Sequence, residues 1–374
     1  MSAFGGYGGY GGYGGYGGYG GYGGYGGYGG YGGYGGYGGY GGGPIGDPLL
    51  TDALNRSTNA LRGSFQGATL PVNLPAPLDK ADRLAHWDVL PRLEICELEL
   101  FGGICFSADQ ARDSMTLGFA NLADQHPQKL SLATLVRPTA PIFAGQLQLV
   151  ANYSELRQDR GPEVLAEMVP QLPFWGSVVG LTAHRHKWTC ELITLALSFA
   201  SHVEMRFKHG FACPRPVELS PQVQPMIATP GHASWPSGHS TEAYMVANVL
   251  CALLPQGSAY TEQLQRQAAR IAVNRTVAGL HYPVDSAVGR LLGTALAEFF
   301  VIRCTGRGEL HTRGFLGPQF QAAGGAPQDF DPRVSMTNNH SGYYEYGAAV
   351  GPVPESSLLA FMWSKAAAEW APLR

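Results

Sequence analysis

Trp235-Pro236-Ser237-Gly238-His239 stands directly ahead of an apolar run that ends near Leu254, and this junction decides how the chain is read. The pattern predicts a helix that begins just after Pro236. Free backbone amides at a helix start attract an oxyanion. Ser237 adds a hydroxyl donor, Gly238 lets the backbone approach a ligand closely, and His239 can transfer protons. On its own the tetrad is read equally well as a serine N-cap followed by an incidental histidine.

Working outward, the next two segments also sit at helix ends. Upstream, a helix is predicted over Lys187–Phe207, with Leu192, Leu195, Phe199, Val203 and Phe207 on one face. It runs into Lys208-x6-Arg215-Pro216, where a lysine and an arginine in a proline-stiffened turn can converge on one anion. Arginine brings a planar bidentate fork and lysine a point charge. Alone, such a pair reads as a solvated surface. Downstream, helices are predicted from Glu262 to about Val277 and from Asp285 to Ile302. Between them lies Arg275-x5-His281-x3-Asp285. Asp285 can accept a hydrogen bond from one nitrogen of His281, fixing its tautomer and making the other nitrogen basic. Asp285 is also an N-cap residue type for the last core helix, and the two roles are compatible.

The three segments, in this order, resemble the signature shared by type 2 phosphatidic acid phosphatases, bacterial class A acid phosphatases and vanadium-dependent haloperoxidases. That signature is K-x6-R-P, then P-S-G-H, then S-R-x5-H-x3-D. The one departure is Asn274, where the family has serine. The resemblance covers Lys187–Ile302, about a third of the chain. It implies that Lys208, Arg215 and Arg275 neutralise the oxygens of phosphate or vanadate, assisted by Ser237 and the Gly238 amide. It implies that His239 is the general acid/base. His281 would be the attacking nucleophile of a phosphatase or the axial ligand to vanadium in a haloperoxidase, with Asp285 behind it. The implied fold is mainly α, a helical bundle of the acid phosphatase/vanadium haloperoxidase type.

Two features turn the reading toward vanadate-dependent halide oxidation, with hydrogen peroxide and bromide or iodide as substrates and vanadate as cofactor. His232, seven residues before His239, is similar to a second histidine of the bromoperoxidase pattern, and Ala278-Gly279-Leu280-His281 looks like the same branch. The alternative for His232 is an ordinary loop histidine. One feature points to a soluble acid phosphatase acting on phosphate monoesters through a phosphohistidine: only 34 residues separate His239 from Asn274. A third reading is a non-enzymatic assembly protein with a vestigial pocket and an adhesive tail. Three cations left together without an anion would repel one another, which argues against a dead pocket.

The remainder of the chain frames this core. Twelve copies of Gly-Gly-Tyr occupy Gly5–Tyr40, and 27 of the 53 glycines lie in that stretch and the three residues after it. Glycine leaves nothing to pack, so residues 1–43 are expected to form a disordered tail. Its tyrosines could serve as weak stickers or have no partner. The absence of proline excludes collagen. Residues 44–82 read as a linker and 83–374 as one α-helical domain. Leu84, Trp87, Leu90, Leu93, Ile95 and Leu98 suggest an apolar stripe near its start. Residues 305–354 look irregular, a short helix over Glu355–Trp370 closes the chain, and strand alternation is essentially missing.

All 53 charged residues lie after the repeat, about 16% of that part against a usual share of roughly 25%. So few charges imply a large core and subunit contacts, hence a homo-oligomer. No run reaches the roughly 20 apolar residues of a membrane span. A net charge of −3 with no polybasic patch argues against nonspecific nucleic-acid binding. Six scattered cysteines without a C-x-x-C pair, and no visible signal peptide, point to a reducing, cytoplasmic setting.

Overall fold

A computed structural model describes residues 48–62, 79–109, 113–168, 171–254 and 259–371. The Gly-Gly-Tyr array, expected as a disordered tail, lies outside the described residues. The chain divides into two compact units, one of Met1–Asp79 with Ala166–Gln171, the other of Lys80–Leu165 with Leu172–Arg374. In the first unit the stretch expected as a linker carries a helix, α1 (Pro48–Leu61). Proline stands at its first position, where the missing N–H costs nothing, and Asp52 pairs with Arg56 one turn on at 2.7 Å. None of its residues is buried.

The second unit opens with α2 (Val89–Phe101). Three strands follow, β1 (Ile104–Asp109), β2 (Ser114–Ala120) and β3 (Lys129–Val136). Next come α3 (Ala140–Tyr153), α4 (Arg157–Ala166) and α5 (Leu172–Val179). The long helices are α6 (Lys187–Phe211), α7 (Gly238–Leu253), α8 (Tyr260–Val277) and α9 (Pro283–Thr305). Strands β4 (His311–Leu316) and β5 (Tyr344–Ala349) and helix α10 (Ser357–Glu369) complete it. The unit is mainly helical.

Helices α6, α7 and α9 form the centre. The apolar face expected for α6 is fully buried from Leu192 through Phe207. Each such Leu, Val or Phe contributes about 1.5–3 kcal/mol of transfer free energy. Helices α7 and α9 approach almost backbone to backbone. A Cβ on Gly289 would stand 2.7 Å from the Ser240 Cβ and 2.9 Å from the Ser237 carbonyl, and Gly293, one turn on, is as tightly pressed against Thr241. The approach is fastened by Ser240 Oγ donating to the Ser286 carbonyl at 2.8 Å and the Ser237 amide donating to the Asp285 carbonyl at 3.0 Å. Small residues on facing turns therefore bring the start of α7 against the start of α9.

Two expectations are corrected. First, strands are present: a five-stranded sheet in the order β1-β2-β3-β4-β5, antiparallel except for the parallel pair β3/β4. Strands β4 and β5 lie inside the stretch read as irregular. The pairs join segments about 180 residues apart, and β2 buries Leu117, Gly118 and Phe119 in succession, which breaks period-two alternation. Second, the stripe proposed for α2 is wrong in part. Leu84 and Leu93 are buried, but Trp87, Leu90 and Leu98 are exposed. The helix instead turns Arg92 inward, where it pairs with Glu191 of α6 at 2.7 Å.

Candidate active site

The C-terminal turns of α6 carry Glu204 and Lys208 inward, both nearly inaccessible to solvent. Past the end of α6 the chain doubles back through Arg215, and the following segment His232–Ser237 wraps over the lysine. Lys208 Nζ donates to the carbonyls of Ala233 (3.3 Å), Ser234 (3.1 Å) and Pro236. The ammonium is thus held by loop carbonyls, and burial pushes its pKa down to about 8 against the opposing pull of Glu204.

Arg215 is the hub. Its Nη1 donates to the Leu280 carbonyl and to His281 Nε2, each at 3.0 Å. Its Nη2 donates to His232 Nδ1 at 3.1 Å, and its Nε donates to the His232 carbonyl at 3.1 Å. A guanidinium has no acceptor, so His281 Nε2 carries the lone pair and the proton sits on Nδ1. Nδ1 donates to Asp285 Oδ2 at 2.8 Å. That carboxylate oxygen also accepts from Ser234 Oγ and from the Tyr282 amide at 3.2 Å, so Asp285 caps α9 while orienting the histidine. Burial, then the charges of Arg215 and Lys208, hold the His281 pKa far below its usual value. The imidazole is neutral, and its Nε2 electron pair accepts from the Arg215 guanidinium.

His232 stands in the same cluster, partly buried. Burial, then Lys208 and Arg215, push its pKa down to about 4, so it too is neutral. His239, half-buried in the first turn of α7, lies close enough for its charge to act on His281. Ser237 Oγ accepts from the Ser240 amide at 3.4 Å, the N-cap role. Arg275 is buried on α8 and donates from Nη2 to the Val164 carbonyl of α4 at 3.3 Å. The described contacts therefore unite Lys208, Arg215, His232, His281 and Asp285 and anchor Arg275 to α4. Asn274, the departure from the signature, accepts from Arg160 of α4 at 3.1 Å.

Three groups escaped the sequence reading. Ser234 supplies a hydroxyl to Asp285, and nothing in the spacing singled it out. Glu204 lies one helical turn before Lys208, a spacing that does place it on the same face. Glu242 lies one turn into α7, and burial together with the Glu204 charge pushes its pKa up to about 8.

This constellation falls inside a recognisable stretch. Residues 188–307 match the family model of the PAP2 superfamily. The α6–α9 core belongs to that superfamily. Membership supports phosphatase-like or haloperoxidase-like chemistry at the superfamily level. No curated protein matches the chain. Among the described residues, no helix is long and apolar enough to cross a membrane.

Proposed function

We propose that this PAP2-superfamily core is a vanadate-dependent haloperoxidase that oxidises bromide or iodide with hydrogen peroxide. The observation that carries the reading is His281, whose Nε2 electron pair faces Arg215 while Nδ1–H is committed to Asp285. A neutral imidazole of fixed tautomer would be able to hold vanadate through its basic nitrogen. The donor set fits a tetrahedral oxyanion: the cations Lys208 and Arg215, the helix start beside the Pro236 carbonyl that Lys208 holds, and the one basic nitrogen of His281.

In this reading Lys208, Arg215 and the opening of α7 would balance the charge of the oxyanion, with Arg275 completing the set from α8. His239 holds or releases a proton at the oxyanion. Bound vanadate would supply the Lewis acidity that activates peroxide toward halide. His232 supports this branch over its alternatives, because it stands 3.1 Å from Arg215 within the cluster instead of facing solvent as a loop histidine.

A second reading, hydrolysis of phosphate monoesters with His281 as nucleophile and His239 as acid, is favoured by the short link between α7 and α8. The two are separated by assaying the purified protein with vanadate, peroxide and bromide, and separately with a chromogenic phosphate monoester. His232→Ala sharpens the test. A positioned acid/base contributes about a hundredfold or more, so the variant should lose bromide oxidation by that factor while binding vanadate normally. Brisk ester hydrolysis, no vanadate-dependent bromination and indifference to His232→Ala would overturn the haloperoxidase assignment.

A further inference from the structure

Glu204 is a buried acid beside the site that neither reading uses. It is only 3% exposed, and its Oε2 has no hydrogen-bond partner among the described residues. Its carboxyl group presses on the opening of α7. A Cβ built on Gly238 would meet Oε1 and Oε2 at 2.6 Å each, so glycine is what lets the acid reach the helix start. The charged and titratable groups facing it are Lys208 on its own helix, Arg215 beyond the end of that helix, and Glu242 on α7. An unsatisfied carboxyl oxygen in such a place costs free energy until something hydrogen-bonds to it.

We propose that Glu204 holds a proton and donates it in a hydrogen bond to the oxyanion bound at the start of α7, making it a specificity-determining residue of that site. This rests on the reading of the cluster as an oxyanion site. The balance is simple. The ionised carboxylate, one proton from solvent and the oxyanion give a complex in which the protonated Glu204 donates to an oxyanion oxygen, and no other bond forms or breaks. An ionised Glu204 would instead present negative charge to negative charge. The geometry is matched by the electrostatics: burial pushes the Glu204 pKa up to about 7, against the opposing pull of Lys208 and Arg215.

The test is calorimetric titration of the full chain with sulfate, whose charge is constant near neutrality. Wild-type affinity should fall roughly tenfold for each pH unit above the Glu204 titration, the slope of one linked proton. Between about pH 6 and pH 8, Glu204→Gln should lose that slope, since the amide donates at every pH, and keep only the shallower fall that Lys208 causes as it titrates, its pKa pushed down to about 8. Glu242→Gln should keep both the slope and its midpoint, because Glu242, pushed up to about 8, is still protonated where Glu204 titrates. Sulfate binding without pH dependence in wild type, or an unchanged slope in Glu204→Gln, overturns the Glu204 assignment and leaves the oxyanion site standing. Failure of sulfate to bind wild type at any pH overturns both.

Discussion

Helix α6 buries charge at both of its ends and treats it in opposite ways. At the N-terminal end every buried charge is closed. Arg92 meets Glu191 at 2.7 Å and spends its remaining donors on the Leu84 and Trp87 carbonyls at 2.6 and 2.7 Å. Glu369 of α10 caps the helix, accepting from the Trp188 and Thr189 amides at 2.8 and 2.9 Å, and Trp370 adds a bond to the Thr189 hydroxyl. At the C-terminal end the cations are held mainly by carbonyls and imidazoles. Glu204 Oε2 and Asp285 Oδ1 have no hydrogen-bond partner among the described residues. A closed network fixes a structure. An open one of the same density suits the oxyanion site proposed above, because buried unmatched charge is otherwise selected against.

The sharpest way to break this comparison is at the open end. His281→Ala removes the imidazole that accepts from Arg215 through Nε2 while Asp285 holds its Nδ1, so turnover in either proposed chemistry should fall at least about a thousandfold, as for the loss of a covalent catalyst. Melting temperature should fall as well, since the buried Asp285 and Arg215 each lose a partner, so the turnover is compared on folded protein. A variant retaining more than a tenth of wild-type turnover would show that another histidine, His239 or His232, holds the reacting atom.

The closed end should give the converse. Arg92→Met leaves Glu191 buried and unpaired, which typically costs about 3–5 kcal/mol. The urea midpoint should drop accordingly, while sulfate affinity of the folded protein stays within about twofold. If affinity collapses along with stability, the two ends of α6 are coupled and the division drawn between them is false.

How much of this was legible depends on how local each feature is. The helices α6 to α9 and the site motifs were readable because each rests on residues within a few turns: the face from Leu192 to Phe207, the tetrad at Pro236, the spacing from Arg275 to Asp285. The sheet was not, because β3 meets β4 only after four long helices have intervened. Helix α2 was misjudged at Leu90 and Leu98 because a single buried ion pair, Arg92 with Glu191, outweighs apolar spacing in setting its rotation, and Trp87 lies before the helix begins. Glu204 was missed for a related reason. A glutamate one turn from a lysine usually marks a solvated pair, and only the fold shows Gly238 against it.

The smallest effect is also the most diagnostic. A carboxyl whose pKa is raised on folding makes stability fall as pH rises from its unfolded value to its folded one, because over that range the unfolded chain has released the proton and the native state has not. For Glu204 the window runs from 4.5 to about 7. His232 and His281, lowered on folding, act in the opposite direction below about pH 6.5, so the wild-type profile alone mixes the two. The difference between wild type and Glu204→Gln isolates the carboxyl. The curves should coincide near pH 4.5 and diverge on going to pH 7.5, where the variant should melt a few degrees higher, at roughly 2–4 °C per kcal/mol. Loss of attraction to Lys208 works against this gain, and the raised pKa means that burial outweighs it. If the variant instead melts lower at pH 7.5, the carboxylate is stabilised by Lys208 as fully as Glu191 is by Arg92, and the C-terminal end of α6 is a structural network like the other.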